Sequence, residues 1–448
     1  MEVKLSEIKE RLPEFEIINY ADVLITGVSY DSRTVEQGDI FFPLEGENFN
    51  GHDFISQAFE GGAVATLCDS SHVTQYVDRR EPIIVVDSIE EGLEKIVNVI
   101  FSNILAPRVA ITGSTGKTTT REMLVKILKG HGSVLSSDRN FNTLWGNAKL
   151  LSQYNDEEYI VLEFAMDRKD EIGWQCRAIE PDLGAILNIG YVHAENVGGI
   201  KNVFKVKKDL ADYLHRSGKP LVLNADDYWL KKIEAEYTYQ LLTYGREGKD
   251  FRLVDSEVTL KGTEFKFRHD DREYTGSIKA YGKDLAYNAL AAIALADLLA
   301  IDVEESLQAL KEYIAFEGRF EIMEENEYLT VVNDAYNANP TSMKMSIETF
   351  DDIFDREEYK RIVILGDMKE LGSVAQEQHR LLGQLVKQKN IDKVYYVGDY
   401  YKDFGIGEKL INWYQAEVVV ERLKYSSKQK TAVLLKASHS IGLFNIGK

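Results

Sequence analysis

The chain has 448 residues, 44% hydrophobic and 28% charged, which suits about three soluble globular domains and excludes wholesale disorder. Lys+Arg is 53 against Asp+Glu 73, so the formal charge of -20 makes nucleic acid or an anionic membrane a poor partner. Its two cysteines, Cys68 and Cys176, are too few for a disulfide framework or a cysteine zinc site.

No run approaches the ~18 apolar residues that would span a membrane. The opening MEVKLSEIKERLPEFE carries acids where a signal peptide needs an apolar core, so a cytoplasmic location is expected. Short strand-like pieces come first, at Val23–Thr26, Ile40–Leu44, Ala63–Leu67 and Ile83–Val86, followed by a helical stretch, Ile89–Ile104. Arg108 to Gly113 reads as a buried strand entering a Gly-rich turn, with a helix from about Thr118 to Lys129. Tyr159–Phe164, Gly184–Asn188 and Pro220–Leu223 are further core strands. Phe251–Lys279 has hairpin character, and Asp284 to Ala300 is strongly helical. Beyond Leu329, β-rich runs at Tyr328–Val332, Arg361–Leu365, Lys393–Val397, Glu417–Val420 and Thr431–Lys436 outline a small doubly wound unit. The expected fold is α/β in three domains, 1–105, 106–316 and 317–448, the central one P-loop-like with a mostly parallel sheet and the last Rossmann-like.

The sharpest local pattern is Ile111-Thr-Gly113-Ser114-Thr115-Gly116-Lys117-Thr118-Thr119. Glycines let successive N–H groups turn toward phosphate oxygens, Lys117 supplies a point charge, and Thr118 offers a hydroxyl to magnesium. The general eight-residue pattern would need Gly at position 111, where Ile stands. A strand before and a helix after nevertheless favour a nucleoside triphosphate site over a chance turn. Glu163 ends an apolar strand and can hold magnesium at the phosphates. His193 follows another core strand, near the carboxyl ends where ligands of open sheets collect.

Val203, Lys207, Leu210 and Leu214 share one helical stripe. A lysine on such a face snorkels in isolation, or else loses its charge. Beside a triphosphate loop the second fate matters, because a neutral amine can add carbon dioxide and become a carbamate able to ligate magnesium. His131, His215 and His379 have no ligand spacing and are expected at the surface.

These residues together resemble the Mur ligases of cell-wall synthesis, over essentially the whole chain. Tyr30-Asp-Ser32-Arg33 through Gly46 and Gly51-His52 is similar to the family's uridine-nucleotide domain, Thr112–Thr119 to its ATP loop, and Asn188–His193 to its Asn-Gly-His segment. Asn333 through Met343 and Leu365 through Gly372 resemble the dipeptide-adding branch.

The resemblance implies that Gly113–Thr119 binds ATP and that Thr118, Glu163, His193 and Lys207 hold Mg2+, with Lys207 carbamylated. It implies an adenine contact at Asn288, a ribose or phosphate contact at Arg319, and Asp334 and Asn337 near ATP. Ser32 and Arg33 would face the UDP-sugar peptide, with Asn142 and Thr143 of the asparagine-rich loop also at substrate. The activity it implies is formation of an acyl phosphate from a UDP-sugar tripeptide, then attack by the amine of D-alanyl-D-alanine. Charge and hydropathy lead to no expected nucleic-acid partner and no membrane insertion, and a monomer is expected. Departures from the family pattern fall at Asp170, where Gly is frequent, at Asp284, where His is common, and at Ala437-Ser438-His439 in place of Gly-Ser-Arg. They leave open a paralogue that joins another amino acid or dipeptide to a related carboxylate. A second alternative, a non-catalytic nucleotide-binding assembly partner, needs a damaged site, yet Lys117, Thr118, Glu163, His193 and Lys207 are all present.

Overall fold

The structure is a computed structural model that describes residues 2–46, 49–137, 142–190, 197–237, 240–314 and 318–447. The expected boundary at 316/317 and His193 lie outside these residues. Among the described residues no helix is long and apolar enough to cross a membrane.

Among the described residues three large sheets follow one another, beside two small two-stranded ones. The first contains β1 (Glu16–Ile18), β2 (Gly27–Ser29), β3 (Asp39–Phe41), β4 (Ala65–Asp69) and β5 (Ile83–Val86), in the order β1-β5-β4-β3-β2. It is parallel except for β1. Helix α1 (Ile89–Phe101) follows it, with the Ser88 hydroxyl accepting from the Glu91 N–H at its start.

The second sheet has nine strands and positions the site. Strands β6 (Arg108–Thr112), β7 (Val134–Ser136), β8 (Tyr159–Glu163), β9 (Leu183–Ile186), β10 (Leu221–Asn224) and β11 (Leu241–Gly245) are parallel. The antiparallel meander β12 (Phe251–Thr259), β13 (Gly262–His269) and β14 (Arg272–Ile278) extends it, giving β7-β8-β6-β9-β10-β11-β12-β13-β14. Every residue of β6 is buried, as expected of a parallel strand covered on both faces. Helix α2 (Lys117–Leu128) follows β6 and packs on α5 (Asp284–Leu298), whose Ala-rich surface is buried nearly all round. On the opposite face lie α3 (Glu171–Ile179) and α4 (Ile200–Arg216).

The third sheet comprises β15 (Glu321–Asn326), β16 (Leu329–Asn333), β17 (Lys360–Gly366), β18 (Lys393–Val397), β19 (Glu408–Leu410) and β20 (Thr431–Lys436). Its order, β15-β16-β20-β17-β18-β19, is parallel apart from β15. Helix α6 (Pro340–Ile353) enters it through a capping box: Asn339 Oδ1 accepts from the Ser342 N–H at 2.8 Å, and Ser342 Oγ accepts from the Asn339 N–H at 3.0 Å.

One continuous apolar core joins the first sheet to one face of the second, running from Val3 and Ile25 through Ile100 to Leu162, Ile172 and Leu210. The third sheet carries two clusters of its own, one on each face.

Two expectations are corrected. Glu417–Val420 belongs to a helix, α7 (Trp413–Ser426), because Asn412 caps its start and burial falls on Ala416 and Val420, one helical turn apart, while Val418 stays exposed. His379 is fully buried, not at the surface: its ring accepts from the Met368 N–H, faces the Ala375 carbonyl at 2.7 Å and stacks on Tyr400.

Candidate active site

The Gly113–Gly116 turn runs from β6 into the first turn of α2. Gly116 has φ +83, and a Cβ there would lie 2.5 Å from Asn288 Oδ1, so both conformation and space demand glycine. Asn188, just past β9, clamps the turn from the side. Its Oδ1 accepts from the Thr115 N–H at 2.8 Å, its Nδ2 donates to the Thr115 carbonyl at 3.0 Å, and its own carbonyl accepts from the Ser114 N–H. Ser114 Oγ accepts from the Gly190 N–H at 2.7 Å. Lys117 Nζ folds back and donates to the Gly113 carbonyl at 2.9 Å. Burial pushes the Lys117 ammonium below its usual pKa; Glu163 opposes the fall and the Arg319 charge adds to it.

Glu163, at the end of β8, is 3% exposed. Its Oε2 accepts from Thr118 Oγ1 at 3.2 Å. Its Oε1 lies 3.3 Å from Arg121 Nε, yet both atoms are buried without a hydrogen-bond partner among the described residues. A buried carboxylate oxygen left unsatisfied beside a threonine hydroxyl is the hard-oxygen donor set that magnesium takes. The residues present therefore fit that ion.

Lys207 does not snorkel. It is 3% exposed on α4, and among the described residues its Nζ hydrogen-bonds only Thr112 Oγ1, at 3.4 Å, while that hydroxyl donates to the Phe164 carbonyl. Burial and then the Lys117 charge hold its pKa well below the ordinary value, against the pull of Glu171. Glu171 is buried too and accepts from the Asp167 and Arg168 N–H groups.

The third sheet supplies the opposite wall. The Arg319 guanidinium lies 5.0 Å from the Tyr336 ring centroid, and Asp334 Oδ1 accepts from the Phe320 N–H at 3.1 Å. Lys436, 2% exposed at the end of β20, donates to Asp334 Oδ2 at 2.8 Å and to the Asn337 carbonyl at 3.2 Å. A cavity of about 300 Å³ lies between the walls, and the loop, Glu163, Asn142, Asn288, Arg319, Asp334 and Asn337 all line it. An adjoining cavity of about 440 Å³ shares Thr115, Gly116, Asp284 and Asn288 with it and extends to Asn224 and Asp226. Lys283 Nζ pairs with Asp352 Oδ2 at 2.7 Å across the two units.

The expected residues of the loop, the β8 end and the third unit thus meet around one cavity. Thr143 instead caps the helix Leu144–Leu151, its Oγ1 accepting from the Gly146 N–H. Ser32 and Arg33 sit in the first unit, Ser32 bonded to Gln57 and Arg33 to Asp31, and neither lines the cavity. Sequence reasoning missed Lys436, although an apolar strand ending in a charge was the same signal that singled out Glu163. It also passed over the clamp made by the Asn188 side chain.

A phosphate-binding turn, a carboxylate at the neighbouring strand end and a second α/β wall define an α/β enzyme of the nucleoside triphosphate-using class. Family models match along the chain: the Mur ligase family catalytic domain at residues 24–100, the Mur ligase middle domain at 111–296, and the Mur ligase glutamate ligase domain at 318–439. A curated relative from Bacillus subtilis, UDP-N-acetylmuramoyl-tripeptide--D-alanyl-D-alanine ligase, is 30% identical over 96% of this chain and 94% of its own length. The crystal structure of MurF ligase from Thermotoga maritima in complex with ADP superposes with a TM-score of 0.81 at 28% identity, covering 94% of this chain and 96% of that one. MurF from Acinetobacter baumannii shares the fold, with a TM-score of 0.87 at 23% identity over 100% and 98% of the two chains. The chain belongs to the Mur ligase family and is an ATP-dependent ligase.

Proposed function

We propose that this chain joins D-alanyl-D-alanine to the peptide carboxylate of UDP-N-acetylmuramoyl-tripeptide, with ATP converted to ADP and phosphate. The observation that carries the chemistry is the unsatisfied Glu163 Oε1 beside Thr118 and the phosphate turn, in a cavity closed by Arg319 and Asp334. The acceptor and donor rest on full-length similarity to curated relatives that bear this name.

A carboxylate acylates poorly because its leaving group would be oxide. Transfer of the ATP terminal phosphoryl to the carboxylate oxygen creates an acyl phosphate and releases ADP. The dipeptide amine then attacks the carbonyl carbon, and the tetrahedral intermediate expels phosphate to leave an amide. The turn N–H groups and Lys117 would hold the phosphates, with Lys117 leaving the Gly113 carbonyl to do so. Arg319 would add charge from the third unit. Thr118, Glu163 and His193 would hold Mg2+, which supplies Lewis-acid charge to the phosphoryl oxygens when bound. Burial, which favours the neutral form of the Lys207 amine, would let it add carbon dioxide, lose a proton and offer its carbamate oxygens as a further ligand.

In this reading residues 1–105 bring the UDP-sugar peptide, 106–316 bring ATP, and 317–448 bring the dipeptide. Ser32 and Arg33 face the first substrate, and Asn142 lies between the first two. The separate core of the third sheet suits a unit that closes over the acyl phosphate and shuts out water. The reading includes a monomer working in the cytoplasm.

The test is incubation with ATP, UDP-N-acetylmuramoyl-tripeptide and D-alanyl-D-alanine, followed by mass measurement. A product heavier than the tripeptide by the dipeptide less one water supports the proposal. Phosphate release only with another amine would replace it with the paralogue that Asp284 and His439 leave open.

A further inference from the structure

A second cluster of ligating side chains lies in the first unit, apart from the nucleotide cavity. His52 comes from the short turn Gly51–Phe54, Asp69 from the end of β4, and His72 from the loop after it. One ligand atom from each lies within 4.8 Å of the other two. His52 Nε2 is 3.0 Å and His72 Nδ1 is 2.8 Å from Asp69 Oδ2.

The hydrogen bonds around the trio fix the state of each group. Asn50 Oδ1 accepts from the His52 backbone N–H at 2.9 Å and faces His52 Nδ1 at 2.8 Å, so Nδ1 carries the ring proton. His52 Nε2 is then a lone pair, and the Asp69 N–H at 3.3 Å donates to it. That lone pair stands against the anionic Asp69 Oδ2. Asp69 Oδ1 accepts from the Ser71 N–H and hydroxyl and from the His72 backbone N–H, which orients the carboxylate, while the His72 ring Nδ1 reaches both oxygens, at 2.9 Å from Oδ1 and 2.8 Å from Oδ2. Among the described residues neither lysine nor arginine pairs with Asp69. Neighbouring Cys68 is fully buried, its Sγ donating to the Asp69 carbonyl at 3.5 Å. Tyr76 OH donates to the His52 carbonyl and holds its backbone.

We propose that His52, Asp69 and His72 bind one divalent transition ion of the zinc class, with water as fourth ligand, clamping the Asn50–His52 turn to the end of β4. Two imidazoles and one carboxylate suit zinc rather than magnesium. Ligand atoms around a tetrahedral zinc, with bonds of about 2.0–2.1 Å, stand about 3.3 Å apart, a few tenths more than the 3.0 and 2.8 Å that separate the two ring nitrogens from Asp69 Oδ2. The imidazole rings stack at 4.3 Å and 13° from parallel, so the lone pairs converge only after one ring turns. His72 is the ring that turns, since its side chain is 27% exposed against 1% for His52. Its proton moves from Nδ1 to Nε2 as Nδ1 becomes a ligand, and the turn takes Nε2 away from the Asn50 Nδ2 donor that faces it at 3.4 Å. Asn50 then serves as the outer group that orients the His52 ring.

Cobalt titration of the full-length, chelator-treated protein tests this, with Mg-ADP saturating the nucleotide cavity. The expected result is one Co2+ per chain with the intense visible absorption of a tetrahedral site, displaced by Zn2+. His72→Ala lowers the affinity about tenfold or more and removes the Zn2+-induced rise in thermal midpoint. His72→Ala also serves where His52→Ala fails to fold, because His72 is partly exposed. No tetrahedral spectrum, or the same spectrum and the same Zn2+ response in His72→Ala, overturns the assignment.

Discussion

Lys436 Nζ sits 2.8 Å from Asp334 Oδ2 in a pair that lines the cavity beside the Gly113–Gly116 turn from the third sheet, with Lys436 only 2% exposed. The same ammonium also donates to the Asp334 and Asn337 carbonyls. One side chain therefore fixes both residues expected near ATP. Removing one partner of a buried pair leaves the other charge uncompensated. Lys436→Met is expected to cost about 3 kcal/mol in chemical denaturation and to raise KM for ATP more than it lowers kcat. An unchanged KM would show that the pair only supports the fold.

Lys207 gives a prediction with a sign. Its folded pKa lies well below the ordinary value of 10.5, so the unfolded chain binds more protons and stability rises with pH through the interval between the two. Lys207→Met removes this penalty. In carbon dioxide-free buffer, where the amine stays free, the variant should melt higher than the wild type at neutral pH, with the difference shrinking as pH approaches 10.5, and it should be inactive. Lys207→Ala should be equally inactive but partly restored by short carboxylic acids, whose oxygens replace the carbamate's. Full activity in Lys207→Ala would remove the carbamate from the mechanism.

Asp284 faces both cavities, and burial, together with Asp334, pushes its carboxyl up to about 6, against Lys436 and Arg319. Between the ordinary 3.8 and about 6 the folded chain binds the extra proton, so this group's contribution to stability falls as pH rises through that window. Above it, a carboxylate faces the site of a polyanionic nucleotide. Wild-type KM for ATP is expected to rise from pH 5 to 8, while Asp284→Asn holds a flat, low KM over the same range. Parallel pH profiles in the two proteins would exclude Asp284 as the cause.

What was legible in the sequence follows the range of the interactions. The β6 strand, the glycine turn and α2 are consecutive, so local rules placed them within a residue or two. Lys207 was legible because a 3.6-residue period puts it on the buried stripe of Val203, Leu210 and Leu214. Lys436 ends an apolar strand as Glu163 does, but its pairing with Asp334, 102 positions away, left no local trace. Val418, Val419 and Val420 have strand propensity, but a capped helix with one apolar face was the better use of that segment. His379 offered no periodic signal, and only the packing of Tyr400 and Tyr396 around it explains its burial.

Asn188 yields the most discriminating substitution, because one side chain both accepts from the Thr115 N–H and donates to its carbonyl. Each bond is worth about 1 kcal/mol, so Asn188→Ala should lose about 2 kcal/mol of stability and let the phosphate turn relax. Turn N–H groups that no longer converge should raise KM for ATP about tenfold. Asn188→Asp keeps the acceptor and restores part of that stability, but it replaces the Nδ2 donor with an anion beside the triphosphate. It should therefore be the more stable variant and the weaker ATP binder. Calorimetric binding of ADP alongside thermal unfolding separates the two effects. If affinity follows stability across the two variants, Asn188 acts through packing and not by presenting the turn to phosphate.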